Sequence, residues 1–194
     1  NGKPLIEYTF AIAKKIEKKF NDSMLFFSTD SKKYLNYAKK NMHLKNDYLR
    51  PNFLAKDNSL IIDSIFHAIK WLRNKKLYFD TVIVLQPTSP IRIFDEVKDA
   101  IQKFKKNNYT SMASVTKMRE HPFECIKKEK KRKWNFLERP EKSATRRQLY
   151  QNSKSDYFFI DGSFYITNLE FLKKNKNFVI ERKTELFVLK GKRA

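Results

Sequence analysis

The chain of 194 residues is poor in three things: it has one cysteine, only 21 acidic residues, and no long apolar run. Each scarcity excludes something. A lone Cys125 permits no internal disulfide and no cysteine-built metal site, which suits a reducing cytoplasm, the expected location. No apolar run approaches the roughly 20 residues that span a bilayer, so neither a transmembrane helix nor a membrane partner is expected. The opening NGKPLIEYTF lacks the charged and then apolar layout of a secretory signal, so no signal peptide is expected either. The shortage of acids leaves 42 Lys+Arg against 21 Asp+Glu, a formal net charge of +21. Such an excess by default suggests nucleic-acid binding. The lysines, however, spread over almost every polar segment, including 14–19, 32–45, 70–76, 103–106, 127–133 and 173–176. Within helical segments they lie opposite the apolar stripe, as on a solvated surface. No zinc-finger spacing, RNA-recognition signature or helix-turn-helix pattern accompanies them. A lysine-biased proteome or an anionic substrate accounts for the charge equally well. A basic nucleic-acid-binding domain is kept as the alternative from another class, with no nucleic acid as the expected partner.

What is present fits one folded domain: hydrophobic residues make up 41% and aromatics 14%, and the length suffices for a real core. The most informative stretch is Thr81 to Arg92, TVIVLQPTSPIR. Val82 to Leu85 form a continuous aliphatic run of strand length, the pattern of a strand covered on both faces. Pro87 and Pro90 forbid a ladder or a helix beyond it, so the chain must leave the sheet at Gln86. In open α/β sheets ligands bind outside the carboxyl ends of strands, which makes Gln86, Thr88 and Ser89 candidate ligands. An ordinary proline-rich turn has the same pattern.

The remaining segments alternate. Leu5, Tyr8, Ile12, Ile16 and Phe20 have near-helical spacing after Pro4. Met24 to Phe27 reads as a short buried strand, and Asp30 as the N-cap of a helix holding Tyr34, Leu35 and Ala38. Ile61, Ile65, Ala68, Ile69 and Leu72 mark a further helix, in which His67 reads as a packed or surface histidine. Val97, Ala100, Ile101 and Phe104 mark another, with Asp95 and Glu96 in its first turn. Ser111 to Val115 reads as a strand, Phe158 to Ile166 as a strand pair or bulge pinned by Gly162, and Leu186 to Leu189 as a last strand. Residues 117–156 are charge-dense and lack a helical stripe; a loop of that length is unusual, so a β-rich arm is expected. Strand–helix–strand alternation predicts an α/β domain with a mostly parallel sheet.

LQPTSPIR resembles the LQPTSPLR signature of the CMP-sialic acid synthetases (acylneuraminate cytidylyltransferases). Further landmarks follow in order: GKPLIEYT and STD resemble that family's GKPLI-x-YT and VSTD, and Arg50-Pro51, Leu54-Ala55 and Asp57 resemble its RP-x-x-LA-x-D. His121-Pro122 and Arg146-Arg147-Gln148 resemble its HP and RQ landmarks, and FFIDGSFYI resembles its NGAIYI element. The resemblance implies a three-layer nucleotidyltransferase (Rossmann-like) fold spanning 1–194, with an inserted dimerisation arm at 117–156 in a homodimer. It implies CTP and a nine-carbon α-keto sugar acid as partners, with the synthetase of the eight-carbon acid as the rival enzyme. Arg50, which alone reads equally well as a surface arginine, and Ser59 would bind the nucleotide. Gln86, Thr88, Ser89, Arg147, Asp161, Tyr165 and Phe178 would bind the sugar; Phe178 taken alone is as readily a core residue. Some positions depart: Ile61 stands for a hydroxyl residue, Glu124 for a lysine, Asp161 for an asparagine, and Phe159 and Ile160 where an arginine is usual. With three glycines and no Gly-Ser-Lys, the family's phosphate loop is missing, as is its Asp-Ile-Asp metal pair. The expectation is therefore a chain truncated at both ends and inactive alone, whose Mg²⁺ ligands lie beyond Ala194, with no metal ligand of its own.

Overall fold

In the computed structural model, which describes residues 2–128, 134–138 and 156–190, the apolar stripes become helix faces. Helix α1 (Leu5–Lys19) buries Phe10, Ile12 and Ile16 but leaves Leu5 and Tyr8 exposed, so its inner face is rotated from the predicted one. Helix α2 (Lys32–Met42) buries Leu35, Ala38 and Met42. Its N-cap is Ser31, whose Oγ accepts from Tyr34 N at 3.3 Å. Asp30, nominated by the sequence for that cap, instead lies 2.8 Å from the Arg50 guanidinium. Ser31 supplies a shorter acceptor one residue later, which leaves the carboxylate for the cation. Helices α3 (Ile61–Asn74) and α4 (Phe94–Lys106) bury Ile62, Ala68 and Leu72, and Val97, Ala100, Ile101 and Phe104. Lysines in the last turn of α4 and acids in its first complement the helix dipole.

The main sheet contains β1 (Thr81–Val84), β2 (Ser111–Lys117), β5 (Phe158–Asn168) and β6 (Glu185–Val188) in the order β1-β5-β2-β6. Strand β5 is antiparallel to both β1 and β2, and only β2 and β6 pair in parallel. The expected mostly parallel sheet is thus corrected to a mixed, mostly antiparallel one. Helix α4 does carry the chain from β1 to a strand of the same direction. Yet β5, returning directly from the segment after β2, inserts between them, and a direct return makes antiparallel neighbours. Met24 to Phe27, expected as a buried strand, lines a groove together with β1 but joins no ladder among the described residues.

Alternation along β1 and β5 serves two layers of helices. Ile83, Leu85, Phe164 and Ile166 pack with Ile12 and Ile16 of α1 and Val97 and Ile101 of α4. Val82, Val84 and Tyr165 face Ile62 and Ile65 of α3 and Leu172 of α5 (Leu169–Asn175). Within 117–156 the described part holds a short 3-10 turn, Pro122–Glu124, and an antiparallel pair, β3 (Ile126–Lys128) and β4 (Trp134–Phe136), whose side chains are all exposed. Arg146, Arg147 and Gln148 lie outside the described residues. Among the described residues no helix is long and apolar enough to cross a membrane.

Phe164 is fully buried where the two faces of the core depend on β5. Phe164→Ala is expected to lower the unfolding free energy by about 3–5 kcal/mol. Phe159→Ala, on the same strand but 48% exposed, should shift it by less than about 1 kcal/mol. Urea denaturation of both variants checks the contrast.

Candidate functional site

The turn after β1 is built by backbone and by one arginine. Ser89 N donates to Gln86 O at 3.1 Å, closing the Gln86–Ser89 turn that Pro87 initiates. Arg92, only 8% exposed, donates from Nη2 to the same Gln86 carbonyl. Its Nε donates to Ser163 O at 2.5 Å and its Nη1 to Thr9 Oγ1 at 3.1 Å. The planar fork of a guanidinium suits three divergent acceptors. Sequence reasoning overlooked Arg92, although it closes the TSPIR segment; nothing in the pattern shows that this cation turns inward.

Because Val84 pairs with Tyr165, the residues just before Tyr165 lie beside Leu85 and Gln86. Gly162 there has φ +70°, and a Cβ added to it would stand 3.2 Å from Gln86 Oε1 and 3.6 Å from Ser89 Oγ. Glycine is needed at this position both for the backbone conformation and for the close approach of Gln86. Ser89 Oγ donates to Asp161 O at 3.3 Å. The fold therefore brings Gln86, Ser89 and Asp161 together, with Thr88 exposed at the tip of the same turn.

The Asp161 carboxylate sits in a nest of donors. Ser114 Oγ donates at 2.6 Å and Ser163 N at 2.9 Å to Oδ1, and Thr116 Oγ1 at 2.9 Å and Ser163 Oγ at 3.2 Å to Oδ2. Burial alone would raise its pKa; the hydrogen bonds from Ser114, Ser163 and Thr116 outweigh that and hold the carboxyl below its ordinary value. The Tyr165 phenol is pushed up, first by burial and then by the Asp161 charge. The Tyr165 ring lies 5.1 Å from that of Phe178, which is itself buried in the core against Ile62 and Leu172.

On the other side of the turn, Arg50 and Gln86 line one groove together with Ser28. Arg50 N donates to Thr29 O at 2.8 Å, and its guanidinium is held by Asp30. Beside it the buried Tyr48 pairs through its hydroxyl with His67 Nδ1 at 2.8 Å. Burial raises the Tyr48 pKa while the Arg50 charge opposes that shift. Ser59 is not in this groove: its Oγ accepts from Lys56 N at 3.1 Å and donates to Phe53 O at 3.2 Å, closing its own loop. Arg147 lies outside the described residues. No cluster of three His, Cys, Asp or Glu side chains able to hold a metal ion occurs among the described residues. The carboxylates of Asp30, on Arg50, and of Asp161, in its donor nest, are already engaged, so they do not fit Mg²⁺.

No protein-family model matches the chain. The CMP-N,N'-diacetyllegionaminic acid synthase of Legionella pneumophila subsp. pneumophila (strain Philadelphia 1) is 28% identical over 180 residues, covering 93% of this chain and 73% of that protein. Among solved structures, a CMP:2-keto-3-deoxy-manno-octonic acid synthetase complexed with CTP superposes with a TM-score of 0.61 at 13% identity, covering 97% of this chain and 80% of that one. The second likeness is one of fold.

The donor nest around Asp161 has a consequence for acid stability. Its pKa is depressed on folding, so its stabilising contribution is present above the unfolded value of about 3.9 and is lost as pH falls through the folded one. Asp161→Asn should destabilise the chain by about 1–3 kcal/mol at pH 7 and flatten the decline below about pH 4. Urea melts from pH 7 to pH 3 check this; parallel curves for both proteins would show that the carboxylate contributes nothing.

Proposed function

We propose that this chain is a CMP-sialic acid synthetase-like cytidylyltransferase that transfers CMP from CTP to a nine-carbon α-keto sugar acid, an N-acylneuraminate or an analogue such as legionaminate. The observation that carries this reading is the joining of Gln86, Ser89 and Asp161 at the carboxyl end of β1, with Arg50 across the groove. The sugar's anomeric hydroxyl attacks the α-phosphorus of CTP, a P–O bond forms as the bond to pyrophosphate breaks, and the hydroxyl proton is lost. The protein forms no covalent bond, so its task is to position the reactants and balance their charge.

Gln86 offers a donor and an acceptor to the sugar's hydroxyls, and Thr88 and Ser89 add hydroxyls on the same turn. Asp161 and Tyr165 bound the sugar side, Phe178 backs Tyr165, and Arg147 is assigned to the sugar carboxylate. Arg50 meets the nucleotide, with Ser59 shaping the loop beside it. In this reading segment 117–156 is a dimerisation arm inserted in a single domain that pairs with a second copy, and the enzyme works in the cytoplasm. Mg²⁺, whose ligands this reading puts beyond Ala194, supplies charge neutralisation when bound.

Two measurements test this. The protein supplied with CTP, Mg²⁺ and a panel of eight- and nine-carbon keto sugar acids is expected to release pyrophosphate with a nine-carbon acid once it carries the carboxylates proposed beyond Ala194. The 194 residues alone should show negligible turnover. Release with none of the acids counts against the reading, and release only with an eight-carbon acid reassigns the substrate. In the active form, Gln86→Ala should raise the sugar KM about 5- to 30-fold, the loss of about 1–2 kcal/mol of hydrogen bonding. CTP affinity and Tm should hold, because Arg92 grips the Gln86 carbonyl and not its side chain. A lower Tm with unchanged sugar kinetics would make Gln86 a turn residue only.

A further inference from the structure

Strand β5 does not pair evenly with β2. Ala113 stands opposite Tyr165 and Val115 opposite Ile160, so between these pairs β2 has only Ser114 where β5 has Asp161 to Phe164. The surplus makes a bulge, and a bulge re-aims side chains. Ser114, fully buried, stands in for the missing ladder there: its Oγ accepts from Phe164 N at 3.0 Å. Its one proton faces Asp161 Oδ1 at 2.6 Å, nearer than the Phe164 carbonyl at 3.2 Å. Asp161 in turn holds the bulge in shape. Its Oδ1 accepts from Ser163 N, two residues on, in an Asx-type turn that closes round Gly162 at φ +70°. Ser163 is thereby held by Asp161 on one side, while its carbonyl accepts from Arg92 on the other. A carboxylate has about four acceptor sites. Ser114 Oγ and Ser163 N fill those of Oδ1, and Thr116 Oγ1 and Ser163 Oγ fill those of Oδ2.

We propose that Ser114 and Thr116 are positioning residues for sugar use, acting through the Asp161 carboxylate and the Gly162 bulge on the Gln86 side chain, and that this carboxylate does not itself meet the substrate. The inference rests on the reading of the turn after β1 as the sugar side of the site. Asp161 then borders the sugar with its backbone: its carbonyl accepts from Ser89 Oγ at 3.3 Å, on the same turn as Gln86. The route is short. Thr116 and Ser114 hold the carboxylate, and the carboxylate holds Ser163. The conformation of Gly162 between them decides how near the bulge lies to Gln86. A Cβ on Gly162 would stand 3.2 Å from Gln86 Oε1, so a small rotation of the bulge moves the amide, and orientation is sensitive to such shifts. Asp161→Asn would present one acceptor atom and a donating NH2 group, which cannot answer donors on both sides. The aspartate and the two hydroxyls opposite it therefore form a matched set. Contact between this carboxylate and a sugar hydroxyl would require one of those donors to leave.

Thr116→Val keeps the shape of the side chain and removes one donor, without stripping the Phe164 amide of its acceptor as Ser114→Ala does. In the 194-residue chain it should speed hydrogen exchange at the Ser163 and Ser89 amides about 10-fold or more, while the amides of α4 keep their rates. Thr116→Ser, which retains the hydroxyl, should leave the protection as it is. Asp161→Asn should speed the same amides, and adding Thr116→Val to it should change them little further, because both act through one carboxylate. In the active form, Thr116→Val should raise the sugar KM about 5- to 20-fold with the CTP KM unchanged, and Thr116→Ser should match the parent. Unchanged exchange at Ser89, additive effects of the two substitutions, or an unchanged sugar KM would overturn the proposal. Pyrophosphate release with none of the sugar acids would overturn the substrate reading beneath it. The exchange measurement needs no substrate, so it tells that failure from a failure of the bulge to transmit.

Discussion

A single buried guanidinium joins three stretches that are remote in the chain, and the geometry around the candidate site depends on it. Arg92 donates to the carbonyls of Gln86 and Ser163 and to the hydroxyl of Thr9, so it ties the turn after β1 to the β5 bulge and to α1. Thr9 and Ser163 are buried, where an unmet acceptor is costly. With the turn fixed, Gln86 can approach Gly162 closely, and Ser89 can reach Asp161. Lysine in this place would offer one charged point instead of a fork.

Much of the fold was legible because burial imposes a period on each element. The stripe in α4 corresponds residue by residue to its buried face, and Val82 to Leu85 read correctly as a strand covered on both sides. In α1 the spacing announced the helix but misplaced its inner edge, since Thr9 and Phe10 turn inward while Tyr8 does not. Sheet order was not legible at all. Alternation with helices tells the direction in which strands run, and β1, β2 and β6 do run the same way. It does not tell which strand is adjacent to which, and β5 taking the place between β1 and β2 made the ladders mostly antiparallel.

At the site, legibility followed backbone constraints. Gln86 and Ser89 could be chosen because the prolines force an exit from the sheet, and Gly162 because a glycine in a strand signals a bulge or a close approach. The partners that set Asp161's state, Ser114 and Thr116 on β2, carry no local signal: an inward serine in a strand looks like any small residue. Ser59 lies two residues before the position where the resemblance puts a hydroxyl, held here by Ile61, and its own hydroxyl is spent on its loop. Arg92 was hidden for the opposite reason, as one cation among 42 basic residues.

The place of β5 in the middle of the sheet also sets an order of assembly. Strand β1 is complete by Val84, but its partner spans Phe158–Asn168, so most of the chain must be made before β1 can pair. Strand β2 waits for the same segment on one side and for β6 on the other. During synthesis the helices can form from local contacts, whereas the sheet has nothing to nucleate on until β5 arrives. The amino-terminal half therefore emerges as helices with exposed apolar faces and unpaired strand edges, and β5 closes the sheet late.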